Sequence, residues 1–301
     1  MSLGIPYTGS KRKLAPDILK VISGRHKGIT DFYDLFGGGG SISFTAVRDY
    51  RFKVHYNELN SHIFELVKYL QANRTLEPKF YEWVSREEFF KQINRTDADW
   101  YSGFVMTCWS FGNNSEKGYL YGADIAELKR LAHEFIVFGH LESMKELGVD
   151  IPELLNINDL NKRRVLFCNH IKKITKEHYQ LQNIEALHYV ENLARLQNLQ
   201  NLQITNLSYE NVIITGENPI IYCDIPYKGT AEYKEGNFNH EKFYDWANES
   251  IYPVYISEYN APFEMVEMFS HRSSLSATNN AKKTVEKLFC NKQEIINYKL
   301  F

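Results

Sequence analysis

The sequence predicts an α/β fold in which an open sheet is interrupted by a long helical insertion. Three observations support this prediction. Residues 1–71 alternate between short apolar strands and amphipathic helices, and the glycine run Gly37–Gly40 directly follows the first strand. The segment Pro219–Asp224 (PIIYCD) is apolar up to its final carboxylate, as expected for a strand buried on both faces. Between these regions, residues 72–201 are polar and favour helices.

The elements before the insertion follow from the spacing of apolar side chains. Helical spacing predicts helices over Lys13–Ile22 and Ser61–Gln71. Short strands are expected at Asp31–Phe36 and Phe52–Tyr56, and a helix should begin after the glycines with Ser41 as its N-cap. Strand, glycine loop, helix, strand and helix in this order form the usual start of an open α/β sheet.

The α/β pattern returns after the insertion. Leucines at helical spacing over Leu193–Leu202 predict a helix that closes the insertion. Asn239 is expected to cap a helix over residues 239–249. The predicted strands are Leu202–Asn206, Pro219–Asp224, Tyr252–Ser257 and Val285–Cys290. Residues 1–71 and 202–301 should therefore form one discontinuous domain, with residues 72–201 inserted into it.

Composition excludes several classes of protein. The 301 residues are 44% hydrophobic and 24% charged, which excludes a disordered chain and a fibrous repeat. No apolar run reaches the ~18 residues that a bilayer span needs, and the first residues lack the apolar core of a secretory signal. We therefore expect a cytoplasmic protein without a membrane partner. Because the net charge is −2, any contact with nucleic acid must come from local basic patches.

The cysteines and histidines argue against a metal site. The four cysteines are widely scattered without a CxxC pair, and the ten histidines form no HExxH motif. Such usage is typical of a reducing compartment without structural disulfides. We expect no metal ligands in this chain.

Two motifs could hold a nucleotide-like cofactor. Phe36 is followed by Gly37, Gly38 and Gly39, and glycines after a strand let the backbone approach a ligand while the next helix presents free N–H groups. Glu58 lies 20 residues after Gly38, at the end of the second strand, where a carboxylate can accept both hydroxyls of a ribose. A tight turn and a solvated carboxylate are the alternatives to these functional interpretations.

Two further motifs could act on a flat base. Asp224, Pro226 and Tyr227 follow the strand PIIYCD and combine a carboxylate, a carbonyl held rigid by proline and an aromatic face for stacking. Near the N-terminus, the segment PYTGSK offers Tyr7 to cover a ring or an onium methyl group and Lys11 to meet a carboxylate. Either motif by itself is also compatible with an ordinary turn or loop.

Together, the segments PYTGSK, DLFGGGGSISF, HYNELN and CDIPY resemble the Dam-like, alpha-group class of DNA adenine methyltransferases. The resemblance implies a Rossmann-like S-adenosylmethionine-dependent methyltransferase sheet with a mainly helical target-recognition insertion. It implies that PYTGSK and Phe36–Gly40 bind S-adenosylmethionine and that Glu58 takes the ribose hydroxyls. The loop Asp224–Tyr227 would be catalytic, with Asp224 bordering the cofactor, and would act on the N6 amine of an adenine flipped out of double-stranded DNA.

The chain departs from the family pattern at two places. Ile225 replaces the usual second proline of the catalytic loop, which leaves the rigidity of the loop in question. Ser208 and Tyr209 stand where the family often has an aspartate before an aromatic residue to recognise the adenine of the cofactor. Serine can still hydrogen-bond to that adenine, although more weakly than a carboxylate.

The insertion offers candidate DNA contacts. A basic stretch lies between residues 161 and 180, and the segment Trp109–Asn114 with the tyrosines after it is similar to the family's entry into its target-recognition region. The predicted DNA contacts are Asn113, Tyr119, Lys162, Arg163, Arg164, Lys172 and Lys173. A solvated helix face is the alternative for the basic stretch.

Several alternatives remain open. The same loop chemistry could methylate the N4 amine of cytosine, although related cytosine enzymes tend to carry serine at the position of Asp224. Ile225 and Ser208 are compatible with a catalytically impaired DNA-binding relic. A metal-dependent nuclease would use Asp224 with Glu232 and Lys234. A cognate restriction endonuclease is a potential partner, in a bacterial or a phage setting, and the recognised DNA sequence cannot be read from the chain.

Overall fold

The computed structural model describes residues 3–7, 9–113, 118–175, 180–228, 238–272 and 283–292. The chain divides into two compact units. Residues 11–60 and 201–301 form one of them, which we call the sheet unit, and residues 3–10 and 61–200 form the other, the helical unit. Each unit has its own buried core.

The described part of the sheet unit contains a seven-stranded sheet. Its strands are β1 (Asp31–Asp34), β2 (Lys53–Asn57), β3 (Gln203–Thr205), β4 (Pro219–Asp224), β5 (Val254–Glu258), β6 (Glu264–Arg272) and β7 (Lys283–Cys290). The order is β3-β2-β1-β4-β5-β7-β6, with β1 to β5 parallel and β7 antiparallel to both of its neighbours. This sheet confirms the predicted Rossmann-like α/β fold.

The helices alternate with the strands in the sheet unit and fill the helical unit. They are α1 (Ala15–Arg25), α2 (Ser41–Asp49), α3 (Ser61–Ala72), α4 (Arg86–Ile93), α5 (Trp100–Cys108), α6 (Ala126–Phe138), α7 (Leu141–Glu146), α8 (Leu160–Thr175), α9 (Gln182–Ala194) and α10 (His240–Glu249). Helices α1, α2 and α10 belong to the sheet unit, and α3 to α9 belong to the helical unit. Among the described residues, no helix is long and apolar enough to cross a membrane.

The crevice of the sheet lies between the ends of β1 and β4. These strands are parallel neighbours, with Asp34 opposite Tyr222. From β1 the sheet continues through β2 to β3 on one side, and from β4 it continues to β5 on the other. Open α/β sheets bind ligands at such a switch point, outside the carboxyl ends of the strands. The glycine run follows β1 and Asp224 ends β4, so both lie at this edge.

An apolar core on one face of the sheet supports that edge. Tyr33, Ile221 and Ile256 from the strands pack with Phe243 of α10, and all four are at most 1% exposed. Ile225 joins the same core and is 2% exposed. Because burying a large apolar side chain stabilises a fold by roughly 1.5–3 kcal/mol, Ile225 ties the loop after β4 to the core.

The helical unit has a separate core built from α6, α8 and α9. Phe135, Phe167 and Ile184 are fully buried there. Helix α3 packs closely on α5, since a Cβ atom added at Gly103 would lie 2.1 Å from the carbonyl oxygen of His62. This packing places α3 in the helical unit, which takes up again at residue 61. The insertion predicted over residues 72–201 stays a prediction.

Three local predictions differ from the structure. The helix predicted over Leu193–Leu202 is wrong after Ala194, where α9 ends, because Asn198 has a left-handed backbone (φ 66°) that a helix cannot continue through. Gly40 (φ 73°), not Ser41, is the N-cap of α2, and Ser41 is its first helical residue. Strand β6 was not predicted from the sequence. The other predicted helices and strands are confirmed, apart from shifts at their ends.

Candidate functional site

Two side chains hold the glycine loop after β1 in place, one from β2 and one from the residue that follows β2. The backbone N–H of Gly38 donates to Oε2 of Glu58 at 2.6 Å, and the hydroxyl of Tyr56 donates to the carbonyl of Gly38 at 2.8 Å. A Cβ atom at Gly37 would lie 2.1 Å from the ring of Tyr56, which is fully buried. Position 37 therefore requires glycine, because the ring of Tyr56 leaves no space for a side chain there.

Glu58 has a structural role in addition to the predicted ligand contact. Its side chain is buried, and Oε1 accepts the N–H of Asn60 at 2.8 Å while Oε2 holds Gly38. Because each carboxylate oxygen can accept two hydrogen bonds, Glu58 can fix the loop and still accept hydroxyl groups. Gly39, the next residue of the loop, is buried. The contact with a ribose stays a prediction.

An aromatic wall stands beside the glycine loop. The ring of Phe36 stacks on that of Tyr209, with centroids 5.4 Å apart and an interplanar angle of 30°. Phe243 and Trp246 of α10 contact the same tyrosine ring. Burial raises the pKa of Tyr209 above its ordinary value. Two of the predicted cofactor residues thus pack together, while Ser208 beside them is half-exposed and its contact stays a prediction.

The loop after β4 forms a cluster with Lys11. Nζ of Lys11 lies 2.8 Å from Oδ1 of Asp224 and 3.5 Å from Oε1 of Glu286, and it lies over the ring of Tyr227 at 4.8 Å from the centroid. The hydroxyl of Tyr227 donates to Glu286. The structure therefore brings together three residues that the sequence suggested, Lys11, Asp224 and Tyr227, and adds Glu286 of β7.

Burial and neighbouring charges shift the pKa values of this cluster. Burial raises the pKa of Asp224, and the Lys11 ammonium opposes that shift. Burial acts to lower the pKa of Lys11, but the carboxylates of Asp224 and Glu286 outweigh it, so the value is raised. Burial raises the pKa of Glu286 to about 7, again opposed by Lys11. Lys11 therefore stays charged and neutralises part of a carboxylate-rich pocket.

Asp34, at the end of β1, is a further acidic group that the sequence reasoning missed. It is 2% exposed and accepts a hydrogen bond from Oγ of Ser43 at 2.7 Å. Burial raises its pKa to about 7, and the nearby carboxylates of Asp224 and Glu58 add to the rise. The only sequence signal was an acid two residues before Phe36. Its position at the crevice suits a cationic ligand.

Replacing Asp34 by asparagine should stabilise the free protein at alkaline pH. Because its pKa is raised from 3.8 to about 7, ionised Asp34 destabilises the fold progressively as pH rises from about 4 to about 7. Asparagine keeps the acceptor for Ser43 and removes the charge, a gain of up to about 4 kcal/mol above pH 7. In thermal unfolding between pH 5 and 8, the melting temperature of the Asp34→Asn variant should rise relative to that of the wild type as pH rises. A difference in melting temperature that does not change with pH would contradict the raised pKa of Asp34.

The backbone after β4 is anchored by two side chains. The carbonyl of Pro226 accepts a hydrogen bond from Nε2 of His240 at 2.7 Å. The N–H of Lys228 donates to Oε2 of Glu258 at 3.1 Å. Neither His240 nor Glu258 was predicted from the sequence. Yet β5 ends on the carboxylate of Glu258, just as β4 ends on Asp224.

Two of the predicted DNA contacts have buried side chains. Arg163 is 8% exposed, and its guanidinium donates to the carbonyls of Ile157 and Ile136 inside the helical unit. Tyr119 is 7% exposed, and its hydroxyl donates to the carbonyl of Val84 at 2.6 Å. Both side chains satisfy buried carbonyl groups and are not available to a phosphate.

The remaining predicted DNA contacts are accessible to different degrees. Lys162, Lys172 and Lys173 are exposed on α8. Arg164 is half-buried and pairs with Glu185 at 3.1 Å. Asn113 donates to the carbonyl of Thr107 at 2.8 Å. A cleft of about 550 Å³ beside the C-terminal half of α8 is lined in part by Lys172 and Lys173.

Three predicted residues cannot be joined to these clusters. Glu232 and Lys234, which the nuclease hypothesis requires, lie outside the described residues. Tyr7 is half-buried in the helical unit, and its contact with a cofactor stays a prediction. Over the part of the chain that the structure describes, no group of three or more histidine, cysteine, aspartate or glutamate side chains is arranged to hold a metal ion.

One family of known proteins matches the first third of the chain. Residues 7–107 match the model of the D12 class N6 adenine-specific DNA methyltransferases, and this segment includes Lys11, the glycine loop and Glu58. Over this segment, about a third of the 301 residues, the chain is similar to the D12 class adenine-N6 DNA methyltransferases. A search of curated proteins found no match to it. The match supports the resemblance to the Dam-like enzymes, and the matching family indicates an S-adenosylmethionine-dependent DNA adenine methyltransferase.

Proposed function

We propose that this methyltransferase moves a methyl group to the N6 amine of an adenine flipped out of double-stranded DNA, and that the transfer takes place where β1 and β4 end. One observation carries the proposal. Asp224, which would accept a hydrogen from the amine, ends the strand next to the one that leads into the glycine loop, and it pairs with Lys11 at 2.8 Å. A base and a methyl donor bound at these two places would share one crevice.

The residues at the crevice fit S-adenosylmethionine. The glycine loop is held by Tyr56 and Glu58, Phe36 and Tyr209 form an aromatic wall, and Glu58 offers acceptors for ribose hydroxyls. The carboxylate of Asp34 would favour the positive charges of the cofactor. When bound, S-adenosylmethionine supplies a methyl group on a positively charged sulfur.

Asp224 would activate the amine by accepting one of its hydrogens. The lone pair of an exocyclic adenine amine is delocalised into the ring, and two hydrogen-bond acceptors localise it on nitrogen. The second acceptor we propose is the carbonyl of Ile225, because the carbonyl of Pro226 already accepts from His240. The raised pKa of Asp224 makes it a better acceptor for the proton that the amine loses as the new N–C bond forms.

Lys11 and Tyr227 would position the reacting groups. Lys11 holds the Asp224 carboxylate in one orientation and stays protonated, since its pKa is raised. The phenol of Tyr227 is fixed by Glu286, so its ring is oriented before a base arrives. Stacking of a base on such a ring is worth roughly 1–3 kcal/mol. Catalysis would then rest on positioning and electrostatics.

Methyl transfer to DNA tests this proposal. The protein is incubated with S-adenosylmethionine labelled on its methyl group and with unmethylated bacterial DNA, and the DNA is then hydrolysed to nucleosides. We expect label in N6-methyl-2′-deoxyadenosine. Label in N4-methyl-2′-deoxycytidine would show that the cytosine amine is the substrate instead, and cofactor binding without transfer would support a catalytically impaired relic.

We further propose that the exposed face of α8 contacts DNA phosphates through Lys162, Lys172 and Lys173. A double variant with Lys172→Ala and Lys173→Ala should weaken DNA binding and reduce the slope of log affinity against log salt by about 2. Lys20→Ala, at an exposed position on α1, is a control that should leave the slope unchanged. An unchanged slope in the double variant would mean that this face is merely solvated.

The biological setting is part of the same proposal. We place the enzyme in the cytoplasm of a bacterium or of a phage-infected cell, where unmodified DNA is the substrate. A cognate restriction endonuclease would be its functional partner if the methylated sequence protects the DNA from cleavage. Sequencing the methylated positions, followed by digestion with endonucleases that recognise the same sequence, tests that partnership.

A further inference from the structure

We propose that His240 is a positioning residue of the catalytic loop Asp224–Tyr227. The buried carboxylate of Glu258 holds the backbone just after this loop, and we call the two side chains together the clamp. The inference rests on the catalytic role proposed above for the loop Asp224–Tyr227. Neither His240 nor Glu258 has a role in the chemistry of methyl transfer described so far. Both side chains contact the backbone of the loop, on the C-terminal side of Asp224.

The ring of His240 is fixed before it reaches the loop. His240 is the first residue of α10, whose N-cap Asn239 accepts the N–H of Lys242 at 3.0 Å. The ring meets Phe238 edge-on, with centroids 5.0 Å apart and an interplanar angle of 88°. Because a carbonyl can only accept a hydrogen bond, Nε2 of His240 carries the proton that is donated to Pro226.

Glu258 holds the other side of the clamp. It ends β5, the strand next to β4, and is 1% exposed. Its Oε2 accepts the N–H of Lys228 and its Oε1 accepts the N–H of Tyr259, at 3.1 and 2.6 Å. Oε2 also lies 3.8 Å from Nε2 of His240, close enough for an electrostatic attraction between them. The buried carboxylate of Glu258 therefore fixes two backbone segments, one at Lys228 after the catalytic loop and one at Tyr259 after β5.

The clamp determines where the peptide groups of the loop point. With Pro226 and Lys228 held, Tyr227 lies between two fixed points, and the carbonyl of Ile225 lies between Pro226 and the end of β4. The buried side chain of Ile225 anchors the first half of the loop from the core. Releasing Pro226 would let its peptide group rotate and would shift the neighbouring acceptor. Catalytic rates fall about 100-fold for a misplacement of about 1 Å, so the effect should appear in kcat.

The test compares His240→Leu, His240→Gln and Glu241→Gln in the full-length protein. Leucine removes the donor, and kcat for DNA methylation should fall about 10- to 100-fold while the Kd for S-adenosylmethionine and the KM for DNA change less than about 3-fold. Glutamine can donate to Pro226 through its amide and should recover most of the activity. Glu241 is exposed on the same turn of α10, and its variant should behave as the wild type.

Asp224→Ala, measured in parallel, separates this inference from the proposed function. If Asp224→Ala abolishes transfer while both His240 variants retain wild-type kcat, the clamp is wrong and the catalytic loop stands. If Asp224→Ala itself retains full activity, the proposed loop fails together with the clamp. An equal loss in the leucine and glutamine variants would also overturn the inference, because a hydrogen-bond donor at position 240 would then make no difference. Glu258→Gln should lower kcat in the same direction as His240→Leu.

Discussion

Replacing Asp224 by alanine is expected to reduce methyl transfer about 1,000-fold or more, while binding of S-adenosylmethionine becomes weaker but stays measurable. The substitution removes the proposed acceptor for the amine hydrogen and breaks the ion pair between Lys11 and Asp224, while the pair between Lys11 and Glu286 is kept. Single-turnover rates with labelled cofactor measure the first effect, and equilibrium dialysis measures the second. Glycine loop, aromatic wall and Glu58 are unchanged in this variant.

Two companion variants make the result interpretable. Asp224→Asn keeps the size of the side chain, so a loss of transfer in both variants reports on the carboxylate rather than on packing. Asp245→Ala removes an exposed carboxylate from α10 and should have wild-type activity. Full activity in Asp224→Ala would refute the catalytic assignment of the loop after β4.

Replacing Gly37 by alanine should have the second-largest effect, through loss of space for the cofactor loop. The added Cβ would lie 2.1 Å from the ring of Tyr56, which is buried and bonded to the carbonyl of Gly38, so the ring cannot turn away without breaking that bond. Overpacking of this kind costs roughly 1–3 kcal/mol of stability. We expect cofactor affinity to fall at least about 10-fold, because the displaced loop is the one that we propose approaches the cofactor.

Gly24→Ala is the matched control. Gly24 lies inside α1, and a Cβ added there meets no atom within 4 Å. Alanine is favoured over glycine inside a helix by about 1 kcal/mol, so this variant should be slightly more stable and should bind the cofactor normally. Chemical denaturation and cofactor titration of the two variants give the comparison. If Gly37→Ala binds the cofactor as the wild type does, the glycine loop is not part of the cofactor site.

The fold could be predicted from the sequence wherever local pattern decides the structure. The segment PIIYCD forms β4 as predicted, because an apolar run ending on a carboxylate is characteristic of a buried parallel strand. The predicted helix over Leu193–Leu202 was wrong because leucine spacing does not reveal that Asn198 adopts a left-handed backbone. Strand β6 was missed because Glu264–Arg272 has no continuous apolar pattern; among the described strands it pairs with β7, at the outer edge of the sheet.

The candidate site could be predicted only where its residues lie in motifs. Lys11, Asp224 and Tyr227 were singled out by type and context, and the structure brings them into one cluster. Glu286 lies in the middle of β7 and His240 opens a helix, and neither position carries a sequence signal. They reach the site because β7 and α10 pack beside β4 and β5, which is a property of the tertiary fold.

The basic stretch on α8 is a second case in which the tertiary fold decides the role of a residue. Counting lysines and arginines along α8 cannot separate exposed charges from buried ones. Arg163 points inward to carbonyls of Ile157 and Ile136, whereas Lys172 and Lys173 are exposed. Helical periodicity identifies which residues share a face, but which face is buried depends on α6 and α9.

The position of the cofactor is the most direct test of the claim that methyl transfer occurs at the ends of β1 and β4. A crystal structure of the protein with S-adenosylhomocysteine, the product form of the methyl donor, would show it. The account predicts the ribose hydroxyls within hydrogen-bond distance of Glu58, the glycine loop around the amino-acid portion, and the sulfur facing Asp224. Cofactor bound in another crevice, with Asp224 outside its reach, would contradict the account.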